Sequence, residues 1–190
     1  MNYHNDLTVS HDAKAIPYRA GVLRKDGARN FGFVNLKANP EAMLKVAELK
    51  GDEALQHLVE AINAPETGLM TIGCSSGFVT EASGCRKTGY VEISFATDQM
   101  VEDAQNYFPL FYHFSRALSD AHFDAHVHFS WDLMPARFVE SEVDGFTIAI
   151  NLNTGFCETP QDAVDIWDVS TQFLATFLNS VPPMDGGPLF

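Results

Sequence analysis

Residues 125–133 read Ala125-His126-Val127-His128-Phe129-Ser130-Trp131-Asp132-Leu133. Ala125, Val127, Phe129, Trp131 and Leu133 fall on one side of an extended chain, and His126, His128, Ser130 and Asp132 fall on the other. Strict alternation over this length predicts a strand with one apolar and one polar face. A second alternating run follows the loop predicted over 135–144. Phe146, Ile148, Ile150 and Leu152 interleave there with Thr147, Ala149, Asn151 and Asn153. Together the two runs predict a β-hairpin.

Two more hairpins are predicted upstream. Val22 and Leu23 precede Lys25-Asp26-Gly27-Ala28, with Phe31, Phe33 and Val34 beyond, and Asp-Gly between apolar runs marks a tight turn. Leu69–Ile72 and Phe78–Val79 read as strand, broken at Gly73-Cys74-Ser75-Ser76-Gly77. A loose connection over 81–87 then leads to Tyr90–Phe95, where Val91, Ile93 and Phe95 oppose Glu92 and Ser94.

Helices are predicted between the hairpins. Asn39-Pro40 opens one that runs to Lys50. Asp52 caps another whose Leu55, Leu58, Val59 and Ile62 share a face, and Pro65 ends it. A third spans 98–119, kinked or split at Pro109 and rich in Phe108, Phe111, Tyr112 and Phe114. Thr159-Pro160-Gln161-Asp162 starts a fourth over 159–181. The expected class is α+β: a mainly antiparallel sheet of successive β-hairpin–helix units, with helices packed on one face. Residues 1–16 are expected as a flexible N-terminal segment, 17–181 as a single α+β domain and 182–190 as a flexible C-terminal tail.

The chain has 190 residues and a formal net charge of −13. Residues 1–97 hold 10 Lys+Arg against 11 Asp+Glu, whereas residues 98–190 hold 2 against 14. Such a field repels phosphate, so nucleic acid and anionic membrane surfaces are not expected partners. It suits a cation or a basic protein. The three cysteines, Cys74, Cys85 and Cys157, form no C-x-x-C pair, and neither a disulfide framework nor a zinc knuckle is expected. A polar N-terminus and no long apolar run suggest a cytoplasmic protein.

The sharpest candidate chemistry lies on the polar side of 125–133. Two histidines at i and i+2 on a strand project together, so His126 and His128, with Asp132, are the candidate metal ligands, and Asp124 or Glu92 is a further carboxylate. A divalent metal there would activate water. The simpler reading leaves these as polar residues of a one-sided sheet. Glu92, His126, His128, Ser130, Asp132 and Asn151 are therefore the ligand or interface candidates. Gly73–Gly77 carries the letters of a nucleophile elbow but precedes more strand rather than a helix. His113-Phe114-Ser115 and His128-Phe129-Ser130 repeat an H-x-S pattern, but the first copy falls in a predicted helix. No catalytic constellation is complete. The leading expectation is a binding or accessory protein acting through a sheet face, a pocket or a homodimer surface, with a small molecule or basic protein as partner. A metal-dependent hydrolase and an acidic docking module are the rival readings.

Overall fold

The computed structural model describes residues 2–21 and 31–183. It has a mixed α+β fold with a mostly antiparallel six-stranded sheet. The strands are β1 (Tyr3–Val9), β2 (Lys14–Ile16), β3 (Leu69–Glu81), β4 (Gly84–Phe95), β5 (Val127–Phe138) and β6 (Val143–Thr154). The helices are α1 (Glu53–Asn63), α2 (Asp98–Val101), α3 (Phe108–Asp120) and α4 (Pro160–Asn179). The sheet order is β1-β5-β6-β4-β3, and β2 also pairs with β5 beyond the end of β1.

Within the alternating run at 125–133, residues 127–133 are the first part of β5, which pairs antiparallel with β6 over its whole length. Val127, Phe129, Trp131 and Leu133 join Ile148, Ile150 and Leu152 of β6 and Val91, Ile93 and Phe95 of β4 in one buried cluster. All four helices contribute to that cluster, through Leu58 and Ile62, Met100 and Val101, Phe114 and Leu118, and Trp167 and Leu174. Burial of each such large side chain contributes on the order of 1.5–3 kcal/mol.

The main departure from expectation is at the N-terminus. Residues 3–9 and 14–16 are strands, paired in parallel with β5, rather than a flexible segment. The physical reason lies in Trp131, whose indole is fully buried. A buried indole N–H needs an acceptor. Asn5 Oδ1 accepts it at 3.0 Å, while Asn5 Nδ2 donates to Ser115 on α3 at 2.6 Å. Tyr3 and Leu7, on the same side of β1, pack against the core. β5 also runs on to Phe138, leaving a loop of 139–142 rather than 135–144. Pro135 is tolerated because β1 has ended and β2 has not begun beside it. The carbonyl of Leu133, two residues earlier, points to that edge and accepts from Ser10 N, so the missing N–H of Pro135 falls at the gap.

Other segments differ locally. Residues 40–45 and 47–49 form two 3₁₀ turns, not an α-helix, because Val46 between them is extended and Asn39 makes no side-chain cap. The helix expected over 98–119 breaks before Pro109. Asp103 has extended backbone and caps a single 3₁₀ turn, and Pro109 sits in the first turn of α3, where it removes no helical hydrogen bond. The segment 73–77 does not interrupt β3. It is preceded by a bulge between Thr71 and Gly73 and pairs with β4 throughout, and β3 and β4 join through Ala82-Ser83. The Asp26-Gly27 turn lies outside the described residues.

α1 and α4 are tied to the β3–β4 hairpin by one carboxylate. Asp52 caps α1 by accepting from Leu55 N at 3.0 Å. The same side chain accepts from Ser76 of β3 at 2.6 Å and from Trp167 Nε1 of α4 at 3.3 Å. Lys87 of β4 lies 2.8 Å from the same oxygen that accepts from Ser76. Gly89 leaves room for this arrangement, since a Cβ there would stand 2.6 Å from the Trp167 ring. Burial acts to raise the Asp52 pKa, but the bonds from Lys87, Ser76 and Leu55 outweigh it and hold the carboxyl below its ordinary value. A depressed folded pKa contributes stability that is present above the unfolded carboxylate range and is lost as pH falls toward the folded value. Asp52→Ala leaves the Lys87 ammonium buried without its partner, and is expected to cost about 3–5 kcal/mol in urea unfolding at neutral pH. The gap between wild type and variant should shrink as the pH drops below the ordinary carboxylate value of 3.8. A gap that is small at neutrality, or constant into acid, would refute this account.

Candidate functional site

The face of the sheet turned away from the main core carries cross-strand rows fixed by register. His4, His128, Asn153 and Thr88 form one row, and Asp6, Ser130, Asn151 and Tyr90 the next. Thr8, Asp132, Ala149 and Glu92 form a third. Part of this face is covered further along, where Ile16, Ile72 and Ala136 make a small second apolar cluster with Tyr18 and Phe33.

At the β1–β5 edge the rows bring two imidazoles and a carboxylate together. Asp6 Oδ2 lies 2.6 Å from His128 Nε2 and 3.2 Å from His4 Nε2. The two imidazole rings meet edge-on, with centroids 4.7 Å apart. Ser130 donates to the other Asp6 oxygen at 2.8 Å. An ionised carboxylate only accepts, so His128 donates to it. Burial acts to raise the Asp6 pKa, but the bonds from His128 and Ser130 and the charges of both histidines outweigh it and hold the carboxyl below its ordinary value. One potential ligand atom from each of His4, Asp6 and His128 lies within 4.8 Å of the others. His128 and Asp6 are half-buried and His4 is exposed.

Several candidates from the sequence are placed elsewhere. His126 precedes β5 and is exposed, outside this cluster; its backbone carbonyl accepts from Gly155 N at 2.8 Å. Asp132 is held by the hydroxyls of Thr8 at 3.0 Å and Ser10 at 2.9 Å. Glu92 is buried two strands away and forms an ion pair with Lys14 of β2. Asn151 donates to the Ser130 backbone carbonyl at 3.3 Å, and Asp124 is exposed in the lead-in to β5. The structure does not gather His126 and Asp132 at His128; it brings His4 and Asp6 there, because the register of β1 against β5 sets them beside it. The signal for it was present as a short period-two pattern, with Tyr3, Asn5 and Leu7 opposite His4, Asp6 and Thr8.

The other candidate chemistry does not assemble. Cys74 lines a cavity of about 190 Å³ with Tyr18, Lys45 and Glu48, and burial pushes its thiol up to about 12, far from a reactive thiolate. Burial likewise pushes the Tyr18 phenol up, and its hydroxyl donates to the Ile72 carbonyl at 2.9 Å. The serines of 73–77 stand on continuous strand, not on an elbow. His113 lies on α3, which packs against the opposite face of the sheet from His128, so the two H-x-S copies do not form a pair.

Compared with known proteins, the chain matches no family model, no curated protein and no solved structure. No helix among the described residues is long and apolar enough to cross a membrane.

The His128–Asp6 pair is roughly one-third exposed on both sides, so solvent screens it. A double-mutant cycle of Asp6→Ala and His128→Ala should give a coupling of about 0.2–1 kcal/mol at neutral pH. A coupling indistinguishable from zero would refute this account.

Proposed function

We propose that this chain is a binding protein whose ligand is a divalent transition-metal ion, held by His4, Asp6 and His128. The observation that carries the reading is the convergence of the three ligand atoms within 4.8 Å, on two hydrogen-bonded strands. Two imidazoles and one carboxylate suit zinc and its first-row neighbours. Ser130 fixes the Asp6 oxygen that faces away from the histidines, the kind of outer partner that orients a ligating carboxylate. Three protein ligands leave coordination positions for water or for a group from elsewhere. The acidic second half of the chain, with 2 Lys+Arg against 14 Asp+Glu over residues 98–190, favours the approach of a cation.

Binding is favoured over hydrolysis by the state of the nearby carboxylates. Asp132 is engaged by two hydroxyls and Glu92 by Lys14, so neither stands ready as a general base beside the cluster. Isothermal titration of tag-free protein with zinc is expected to give one site, weakened in acid because imidazoles and carboxylate must lose their protons to bind. At about a hundredfold excess over the dissociation constant, zinc should stabilise the fold by about 2.7 kcal/mol, seen as a rise in Tm. Asp6→Ala and His128→Ala should each abolish the heat and the rise, while His126→Ala should keep both. Absence of zinc heat and of any Tm change in the wild type would overturn the reading. Metal-dependent turnover of a phosphate or carboxylate ester would replace it with hydrolysis.

A further inference from the structure

Cys85 opens β4 and Cys157 lies between β6 and α4, on the opposite side of β4 from β3. The two residues face each other across an isolated antiparallel bridge. They exchange both backbone hydrogen bonds, Cys85 N to Cys157 O at 3.0 Å and Cys157 N to Cys85 O at 2.7 Å. Residues paired in this way have Cα atoms about 5.5 Å apart and side chains on one face. A disulfide needs Cα atoms about 4.4–6.8 Å apart, so the backbone already meets its main requirement. Gly84 permits this close approach. Its φ is +130, and a Cβ there would lie 2.3 Å from the Cys157 carbonyl oxygen.

Both thiols are free. Cys85 Sγ lies 3.9 Å from the Cys157 carbonyl and Cys157 Sγ 3.3 Å from the Gly155 carbonyl. Thiols are weak donors, so rotation of the two side chains toward each other gives up little. Cys157 is half-buried and open to a reagent, whereas Cys85 is buried. The third cysteine takes no part. Cys74 lies six residues along β3 from Thr80, the β3 partner of Cys85, which places it about 20 Å away.

We propose that Cys85 and Cys157 form a reversible dithiol–disulfide site, oxidised by a low-molecular-weight disulfide such as glutathione disulfide. The Cys157 thiolate attacks one sulfur of the oxidant, forming a mixed disulfide and releasing one glutathione thiolate. Cys85 then loses its proton, attacks the Cys157 sulfur and expels the second glutathione. The protein gives up two protons and two electrons, and the oxidant takes them up to become two thiols. Burial raises the Cys157 pKa, so the first step speeds up as pH rises. The new bond fastens the start of the β3–β4 hairpin to the segment that leads into α4.

The test treats the native full chain with excess glutathione disulfide in mild alkali, quenches with acid, unfolds the protein and counts thiols. The expected result is a fall from three thiols to one, an intact mass lower by two hydrogens with no glutathione retained, and a peptide map joining Cys85 to Cys157. A reductant should restore all three thiols. Cys85→Ser should instead keep glutathione on Cys157. The wild-type count does not depend on that variant folding. Three surviving thiols, persistent glutathione on the wild type, or a bridge that includes Cys74 would each overturn the proposal.

Discussion

A buried carboxylate that accepts from four donors at once sets the geometry of the helical layer. Asp52 caps the start of the first α-helix, and its oxygens are shared among a backbone amide, a serine hydroxyl, an indole and an ammonium from four parts of the chain. Hydrophobic burial is non-directional and would tolerate α1 and α4 in several rotations over the sheet. The hydrogen bonds are directional, and they select one. Lys87 adds to this by lying over the Trp167 ring with 5.2 Å from its Nζ to the centroid, so charge and packing are settled together.

The opposite face has a different logic. There the sheet meets solvent, and its order comes from the closing of an edge. A long central hairpin strand such as β5 would otherwise present a row of unpaired amides and carbonyls. The N-terminal residues close that row and bring His4 and Asp6 beside His128 as a result of register. Edge protection and the gathering of ligand groups are therefore one event, driven by the acceptor that Trp131 requires.

Much of this was legible in residue order, and what was missed has identifiable physical causes. The β5–β6 hairpin, α1 with its Asp52 cap and α4 with its Thr159 cap all carried strong local patterns, and Thr159 does accept from Asp162 N at 3.2 Å. β1 was easily missed because its period-two pattern is short and one of its inward positions is polar: Asn5 faces the core only because a partner far along the chain needs its oxygen. Residues 40–49 looked helical by composition, yet nothing in the local sequence announced the extended Val46. Half of the candidate cluster could be read, since His128 stood on a clear polar face. Its partners could not, because a parallel pairing between residues more than a hundred positions apart leaves no local trace.

The bulge before Gly73 reverses which residues of β3 look inward. Leu69 and Thr71 sit opposite Phe95 and Ile93, on the helix side, but beyond the bulge it is Cys74, Ser76 and Phe78 that sit opposite Val91, Gly89 and Lys87. One supernumerary residue thus changes odd positions for even ones midway through the strand. Flattening the bulge without deleting a residue would turn Ser75 and Gly77 toward the helices in place of Ser76 and Phe78. Ser75 would bring a hydroxyl to the place of Ser76, but Gly77 in place of Phe78 would take away the Phe78 ring, whose centroid lies 5.8 Å from Lys87 Nζ. The helical layer is therefore keyed to a counting irregularity in a strand that it only partly covers.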